Sequence, residues 1–396
     1  MAQPLGPKSE NPRDFLATDS LLAEDEILLR DTVRRYVDEQ ILDEVGDWFD
    51  QGEFPHAEVA KACGDLGLLG MHLEGYGCSG SSALMYGLAC MELEAGDSGL
   101  RSFVSVQGSL AMFPIWAYGS EEHKQEWLPR MAAGEAIGCF GLTEPDSGSD
   151  PSSMRTNAKQ EPGGDWILNG TKMWITNGSI SDVAVVWART DEGIRGFVVP
   201  TDVDGFSAPK IERKVSLRAS ITSELIMEDV RLPAEAVLPG VASMRGPLSC
   251  LNEARFGIAF GAVGAARACY EAALDYANDR VQFGGPISRF QLTQQKLVDF
   301  MTAVQSGTLV AYHLGRLKDA GALGPAQVSF GKRQNVRMAL EVAREARSVL
   351  GANGITTEYP VARHMNNLES VYTYEGTNEI HTLMMGQAIT GQSAFT

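Results

Sequence analysis

The spacing of apolar residues changes twice along the chain, and that change limits the fold more than any single motif. Leu29, Val33, Val37 and Ile41 recur every four residues, the stripe of an amphipathic helix. Asp19 and Ser20 stand before it as N-cap candidates. Shorter helical patterns follow at 59–69, 83–93 and 123–131, with Gly75, Gly77 and Gly80 marking a loop. From about 136 to 238 the pattern becomes β. Trp166-Ile167-Leu168 and Met173-Trp174-Ile175 flank Asn169-Gly170, a hairpin signal because both central residues tolerate positive φ. Runs at 183–188 and 196–199 are further strand candidates. Helical periodicity returns over 257–278, 291–320 and 325–350, and the short connections predict antiparallel neighbours in a bundle. The expected architecture is α+β and multidomain: an all-α domain over 1–135, a β domain over 136–245 and a helical bundle over 246–396.

Charge narrows the range of partners. A formal net charge of −18 argues against nucleic acid or an anionic membrane, both of which need clustered Lys and Arg. An anionic ligand would be held locally, by single arginines or helix N-termini. The six cysteines are widely and irregularly spaced without a CxxC pair, and the six histidines show no His-x-x-x-His pair, so neither zinc nor a disulfide framework is expected. Residues 1–20 are polar, carry Pro4, Pro7 and Pro12, and lack the apolar core of a signal peptide. The expectation is a bacterial cytoplasmic protein; a mitochondrial matrix enzyme with its leader removed would look similar.

Glycine motifs divide into those with structural context and those without. No Gly-x-Gly-x-x-Gly follows a strand; Gly257, Gly261 and Gly264 fall in a helical stretch and point to close helix packing. Gly96-Asp97-Ser98-Gly99 resembles the nucleophile loop of trypsin-like proteases but sits among helices, which removes its context. The run Gly141-Leu142-Thr143-Glu144-Pro145-Asp146-Ser147-Gly148-Ser149-Asp150 is rich in small hydroxyl residues. It reads either as an ordinary polar loop or as one presenting N–H groups and hydroxyls to a polar ring or phosphate. Trp174 reads as a core tryptophan or a ligand contact.

Taken together, the motifs resemble a known family. Thr143 to Asp150, then Trp174-Ile175-Thr176-Asn177, then Arg280-Val281-Gln282-Phe283-Gly284 with Gln291, then Gly351-Ala352-Asn353-Gly354-Ile355 with Arg363, then Tyr374-Glu375-Gly376-Thr377, resemble the acyl-CoA dehydrogenases in order and over nearly the whole chain. The resemblance implies a helical domain, a middle β-barrel domain and a C-terminal four-helix bundle, with FAD between barrel and bundle. It implies that Phe140, Leu142, Thr143, Gly148 and Ser149 line the flavin and CoA, and that Trp174, Ile175, Thr176 and Thr377 contact FAD. Arg280, Phe283 and Gln291 would bind the ADP half of FAD, of a neighbouring subunit, and Leu350, Gly351 and Gly354 would approach the pyrophosphate. Two positions depart from the family pattern: Ser348, where an acidic residue or Gln is preferred, and Ala352, where Gly or Ser is.

The implied chemistry removes a proton from the α carbon of a thioester and a hydride from the β carbon. The resemblance makes Glu375 the base; the alternative is that Glu375 caps the following helix. It places Leu248, Asn252 and Arg255 along CoA with Gly376 and Phe395, although Arg255 would equally suit a helix-end ion pair with Glu253. Substrate choice turns on Arg101. Alone it reads as a surface arginine at a helix end, but the run from Glu94 to Ser102, with Ser105-Val106-Gln107, Cys139 to Asp150 and Ser216 to Ser220, resembles the glutaryl-CoA branch of the family. Arg101 and Ser102 would then hold a distal carboxylate, with Glu94 and Tyr374 adjoining, since Arg can grip a carboxylate bidentately. The implied reaction is oxidation of glutaryl-CoA and decarboxylation to crotonyl-CoA and CO2 by a homotetramer that passes electrons to an electron-transferring flavoprotein. A branch that stops at glutaconyl-CoA, or a short-chain or branched acyl-CoA dehydrogenase, would share most of these residues.

Overall fold

The computed structural model describes residues 11–395; Pro4 and Pro7 lie outside them. The N-terminal part is helical: α1 (Glu24–Gln40), α2 (Val45–Gln51), α3 (His56–Asp65), a short hairpin of β1 (Glu74–Gly75) and β2 (Cys78–Ser79), α4 (Ala83–Gly96), α5 (Ser98–Ser105), a π-helical turn Val106–Met112, α6 (Phe113–Tyr118) and α7 (Glu121–Ala132). Val33, Val37 and Ile41 are buried, as their spacing predicts. The cap of α1 is not Asp19 or Ser20 but Ala23, whose N–H donates to Glu26 at 2.8 Å. Asp19 pairs with Arg30 instead.

The middle part is a mixed sheet of β3 (Gly138–Gly141), β4 (Asn157–Gln160), β5 (Trp166–Thr176), β6 (Val183–Thr190), β7 (Gly193–Pro200), β8 (Phe206–Ser207) and β9 (Thr222–Leu232). Its order is β3-β6-β4-β5-β9-β8, with β7 antiparallel on β6. The expected barrel does not close: β3 and β8 end the sheet order and do not pair with each other, and the two-residue β8 is too short to offer a closing edge. The β3 edge is covered from the helical side, where Gln107 accepts from Gly138 N at 2.7 Å and donates to Ala136 O at 2.7 Å. On β6, Val183, Val185 and Trp187 face the large helical core while Ala184, Val186 and Ala188 face a smaller core inside the sheet region, the period of two expected of a strand.

Asn169-Gly170 makes no hairpin. β5 runs straight through it with a bulge, because Asn169 and Asp229 exchange hydrogen bonds across to β9 at 2.9 Å each way. A second register shift lies between Lys172 and Ile175 and puts Trp174 at φ 64.

The C-terminal part contains α8 (Arg245–Asp279), a hairpin of β10 (Val281–Gln282) and β11 (Gly285–Pro286), α9 (Gln291–Asp319), α10 (Pro325–Val349), a 3-10 turn Gly351–Ile355, α11 (Pro360–Thr373) and α12 (Asn378–Thr390). Helix α8 starts well before the periodic run that predicts it. Gly261 and Gly264 let α8 lie directly on α4: a Cβ on Gly264 would strike Met91 O, and one on Gly261 would strike the Glu94 carboxylate. No helix among the described residues is long and apolar enough to cross a membrane.

Candidate active site

Glu375 sits in the short link between α11 and α12. Its φ is 51 and that of Gly376 is 91, a left-handed pair that turns the chain sharply and points the carboxylate inward. Thr377, not Glu375, caps α12, accepting from Ile380 N at 3.2 Å. The carboxylate is thereby free of a capping role. Its Oε2 is sealed from solvent and has no protein hydrogen-bond partner. Burial pushes the Glu375 carboxyl up from the ordinary carboxylate range, against the pull of Arg101, Lys332 and Arg255.

Each of those cations arrives on a different helix. Arg255, on α8, donates through Nε to the Glu375 carbonyl at 2.7 Å and through Nη1 to Asn252 at 3.5 Å. The alternative ion pair with Glu253 is not formed; Glu253 takes Lys318 at 2.6 Å. Lys332, on α10, donates to the Tyr374 carbonyl and, at 2.6 Å, to the Gly376 carbonyl. Sequence reasoning missed Lys332, which matched no motif named above. The signal available was a lysine on a helix face otherwise filled by Val328, Ser329, Gly331, Asn335 and Val336, all buried.

Arg101 is 0% exposed, so the surface reading fails. Asp97 caps α5 through Gly99 N at 2.6 Å and anchors it by accepting from Arg363 at 2.6 Å and Asn367 at 2.8 Å. The cap fixes the first turn of α5, so Arg101 points toward α4 and the Glu375 link. Its Nε donates to Glu94 Oε2 at 2.6 Å, Ser98 donates to Glu94 Oε1 at 2.8 Å, and Nη2 donates to Tyr374 Oη. Ser102 Oγ lies 3.3 Å from the same hydroxyl. Arg101 Nη1 is buried with no protein acceptor. A cation with one unused N–H pair and a carboxylate with one unused oxygen thus share one cluster, bridged by Tyr374.

A second group forms at the end of the sheet. Met173 N donates to Thr143 O at 2.8 Å, which ties Thr143 to the strand segment that carries Trp174 and Thr176. Trp174 is 58% exposed, so it is no core tryptophan. Phe140 and Leu142 are buried on the helical side of the sheet, Phe140 against Trp187, and Ile175 belongs to the inner sheet core. Gly148 and Ser149 are exposed. A buried Lys172–Glu144 pair at 2.9 Å, with Lys172 also donating to Leu142 O at 3.0 Å, holds the loop in place.

The remaining predicted contacts lie apart. Arg280 ends α8 roughly 37 Å beyond Arg255 by helix rise, and Phe283, at 89% exposure, and Gln291 follow it. They cannot join the Glu375 cluster of the same chain. Gly354 is required by packing, since a Cβ there would strike Arg347 O, whereas Gly351, at φ 60, opens to free space. Leu350 is buried. Ser348 accepts from Lys296 at 2.6 Å, and Ala352 is exposed. Leu248 and Phe395 are both exposed.

Models of the acyl-CoA dehydrogenase N-terminal, middle and C-terminal domains match residues 23–135, 139–230 and 244–390. The human mitochondrial short-chain specific acyl-CoA dehydrogenase is 36% identical over 372 residues, covering 92% of this chain and 90% of that protein. A crystal structure of glutaryl-CoA dehydrogenase from Mycobacterium smegmatis is 63% identical with a TM-score of 0.96, covering 98% of this chain and 100% of that one. A glutaryl-CoA dehydrogenase from the same organism, in complex with FADH2, is 59% identical with a TM-score of 0.96 over the same shares. With three domain models matched in order along a chain that carries this cluster, the protein belongs to the acyl-CoA dehydrogenase family.

Proposed function

We propose that this protein oxidises glutaryl-CoA with FAD and releases crotonyl-CoA and CO2. The observation that carries the proposal is the sealed guanidinium of Arg101, one Nη group unused, in the same cluster as the unpartnered Glu375 oxygen. An apolar acyl tail would leave the buried Arg101 Nη1 without an acceptor, which is costly; a carboxylate satisfies it.

The residues at the sheet end suit a flavin: an exposed indole at Trp174, on the strand segment that also carries Thr176 and is bonded to Thr143, suits a flat ring with polar edges. FAD held there would supply the acceptor for the hydride of the substrate β carbon. Glu375 takes the α proton, and its raised affinity for protons suits that task. Arg255 and Lys332 fix the backbone on either side of it. Arg101, Ser102 and Tyr374 hold the distal carboxylate, and Glu94 keeps Arg101 in place. Release of CO2 leaves its electron pair in a thioester dienolate, and Glu375 returns its proton to the distal carbon.

The proposal extends to the assembly. The domains are those bounded at 135/136 and 245/246. Exposed apolar residues such as Leu292, Val298 and Ile389 on α9 and α12 support burial against further copies in a homotetramer, where Arg280, Phe283 and Gln291 reach a neighbour's FAD. Electrons pass to an electron-transferring flavoprotein in the cytoplasm or the mitochondrial matrix.

The test is turnover of glutaryl-CoA and butyryl-CoA by the FAD-loaded protein with a dye acceptor, with CO2 measured. Glutaryl-CoA is expected to be preferred and to yield CO2. Preference for butyryl-CoA would overturn the substrate, and glutaconyl-CoA without CO2 would overturn the second stage.

A further inference from the structure

Lys332 is a buried lysine with no carboxylate bonded to it. Its Nζ donates to the carbonyls of Tyr374 and Gly376, the residues on either side of Glu375. Those carbonyls flank a left-handed pair, and a non-glycine residue at φ 51 persists only where its surroundings hold it. The surroundings here are specific. Arg255 holds the carbonyl of Glu375 itself, Lys332 holds the two neighbours, and Thr377 fixes the exit into α12. The same ammonium lies 5.6 Å from the centre of the Tyr374 ring, whose hydroxyl receives Arg101.

We propose that Lys332 is a positioning residue for the base: its ammonium clamps the two carbonyls around Glu375, fixes the left-handed turn that aims the carboxylate, and supplies a positive charge that balances it. The proposal rests on the reading of Glu375 as the base.

The electrostatic half depends on what else faces the carboxylate. Arg101 comes from α5, Arg255 from α8, Glu94 and Cys90 from α4, Tyr374 from the end of α11 and His381 from α12. Burial pushes Cys90 up to about 12, and Tyr374 upward too, so both are neutral near pH 7. His381 lies against Gly376, with Nδ1 3.1 Å from Ser329 Oγ one turn before Lys332, and burial pulls it down to about 3, so it is neutral as well. Burial draws Lys332 itself down to about 7; Glu375 pulls it up, and Arg255 and Arg101 push it down. The charges of Lys332 and Glu375 therefore support one another, and loss of one disfavours the other.

The experiment compares FAD-loaded wild type with Lys332→Met and Lys332→Gln, reading kcat, KM, FAD content, melting temperature and the pH profile of kcat/KM with glutaryl-CoA. Lys332→Met is expected to keep FAD and a near-native KM while kcat falls on the order of 10²-fold, the scale of a misplaced reacting group. Lys332→Gln retains a donor for one carbonyl and is expected to recover part of kcat. In both, the acidic limb of kcat/KM moves to higher pH, because Glu375 loses a neighbouring cation. A folded variant with unaltered kcat and an unmoved acidic limb overturns the proposal. If Lys332→Met does not fold, Lys332→Gln decides on the same readouts, and failure of both to fold assigns Lys332 to packing and overturns it as well. Glu375→Gln measured alongside separates the two claims. Activity in that variant removes the base assignment, whereas an inactive Glu375→Gln beside an unaltered Lys332→Met removes only the role of Lys332.

Discussion

Arg101 and Glu94 form an ion pair at 2.6 Å in which neither side chain reaches solvent, and the pair exists because Gly261 of α8 leaves room for the carboxylate. Glu94 therefore holds the Arg101 guanidinium in place, and under the proposed function it would do so without touching substrate. Glu94→Ala would leave Arg101 charged, buried and half-satisfied. Breaking such a pair costs about 3–5 kcal/mol. The expected outcome is a lower midpoint in chemical denaturation together with a higher KM for glutaryl-CoA. Gly261→Ala, which changes no charge, is expected to produce the same pair of effects by displacing Glu94, and a native KM in that variant would detach the glycine from the site.

Arg101→Ala tests selectivity. Its effect on folding is common to every substrate, so the ratio of kcat/KM for glutaryl-CoA to that for butyryl-CoA isolates the contact with the distal carboxylate. Losing a desolvated charged partner costs about 2–5 kcal/mol, so the ratio is expected to fall by at least roughly 30-fold. Equal losses on both substrates would make Arg101 a purely structural residue.

Glu375→Gln is close in size and cannot take a proton. The variant is expected to bind FAD, read by its visible absorbance, and to lose roughly 10²–10⁴-fold in turnover. The pH profile of the wild type carries a separate signature. Burial raises the Glu375 pKa, so the base is protonated at pH values where an exposed carboxylate would already be ionised. kcat/KM should fall as pH drops through that raised value. An acidic limb lying in the ordinary carboxylate range would contradict the burial of Glu375.

The roles proposed for this site were legible through the resemblance of its motifs to a known family, and the local geometry that supports them is simple. Arg101 and Glu94 flank Asp97, and a helix break capped by Asp97 is a local event that brings the two side chains together across one turn. The Tyr374 to Thr377 link is likewise short, and its glycine marks the left-handed turn. Two readings failed, and one residue was missed, where distant residues decide. Asn169-Gly170 carries hairpin chemistry, but Asp229, sixty residues away, ties Asn169 into a straight strand. The barrel fails to close because β8 is only two residues long, which no periodicity announces. Lys332 has no local signature: its partners lie more than forty residues later, and only the packing of α10 on the Glu375 link reveals them.

Glu92 offers a prediction about stability that does not involve the active site. It accepts from Arg34 of α1 at 3.0 Å through both Nε and Nη2, and from Arg267 of α8 at 2.7 and 2.5 Å, so one carboxylate of α4 joins three helices. Burial opposes its charge most strongly, yet Arg267 and Arg34 together outweigh that and hold it at about 2, below the 4.5 of a free carboxyl. The unfolded chain therefore binds this proton at higher pH than the native protein does. The stability Glu92 contributes is complete above about pH 4.5 and drains away as pH falls toward about 2. Glu92→Gln strands the largely buried Arg267 guanidinium, and is expected to lower unfolding free energy at neutral pH by about 3–5 kcal/mol. Over the acid window its stability should decline less steeply than that of the wild type, since one depressed carboxylate has gone. Glu144, also held at about 2, titrates in the same window in both proteins, so the difference between the two curves is the quantity to measure. Parallel curves from neutral pH down to about 3 would mean that folding does not lower the proton affinity of Glu92.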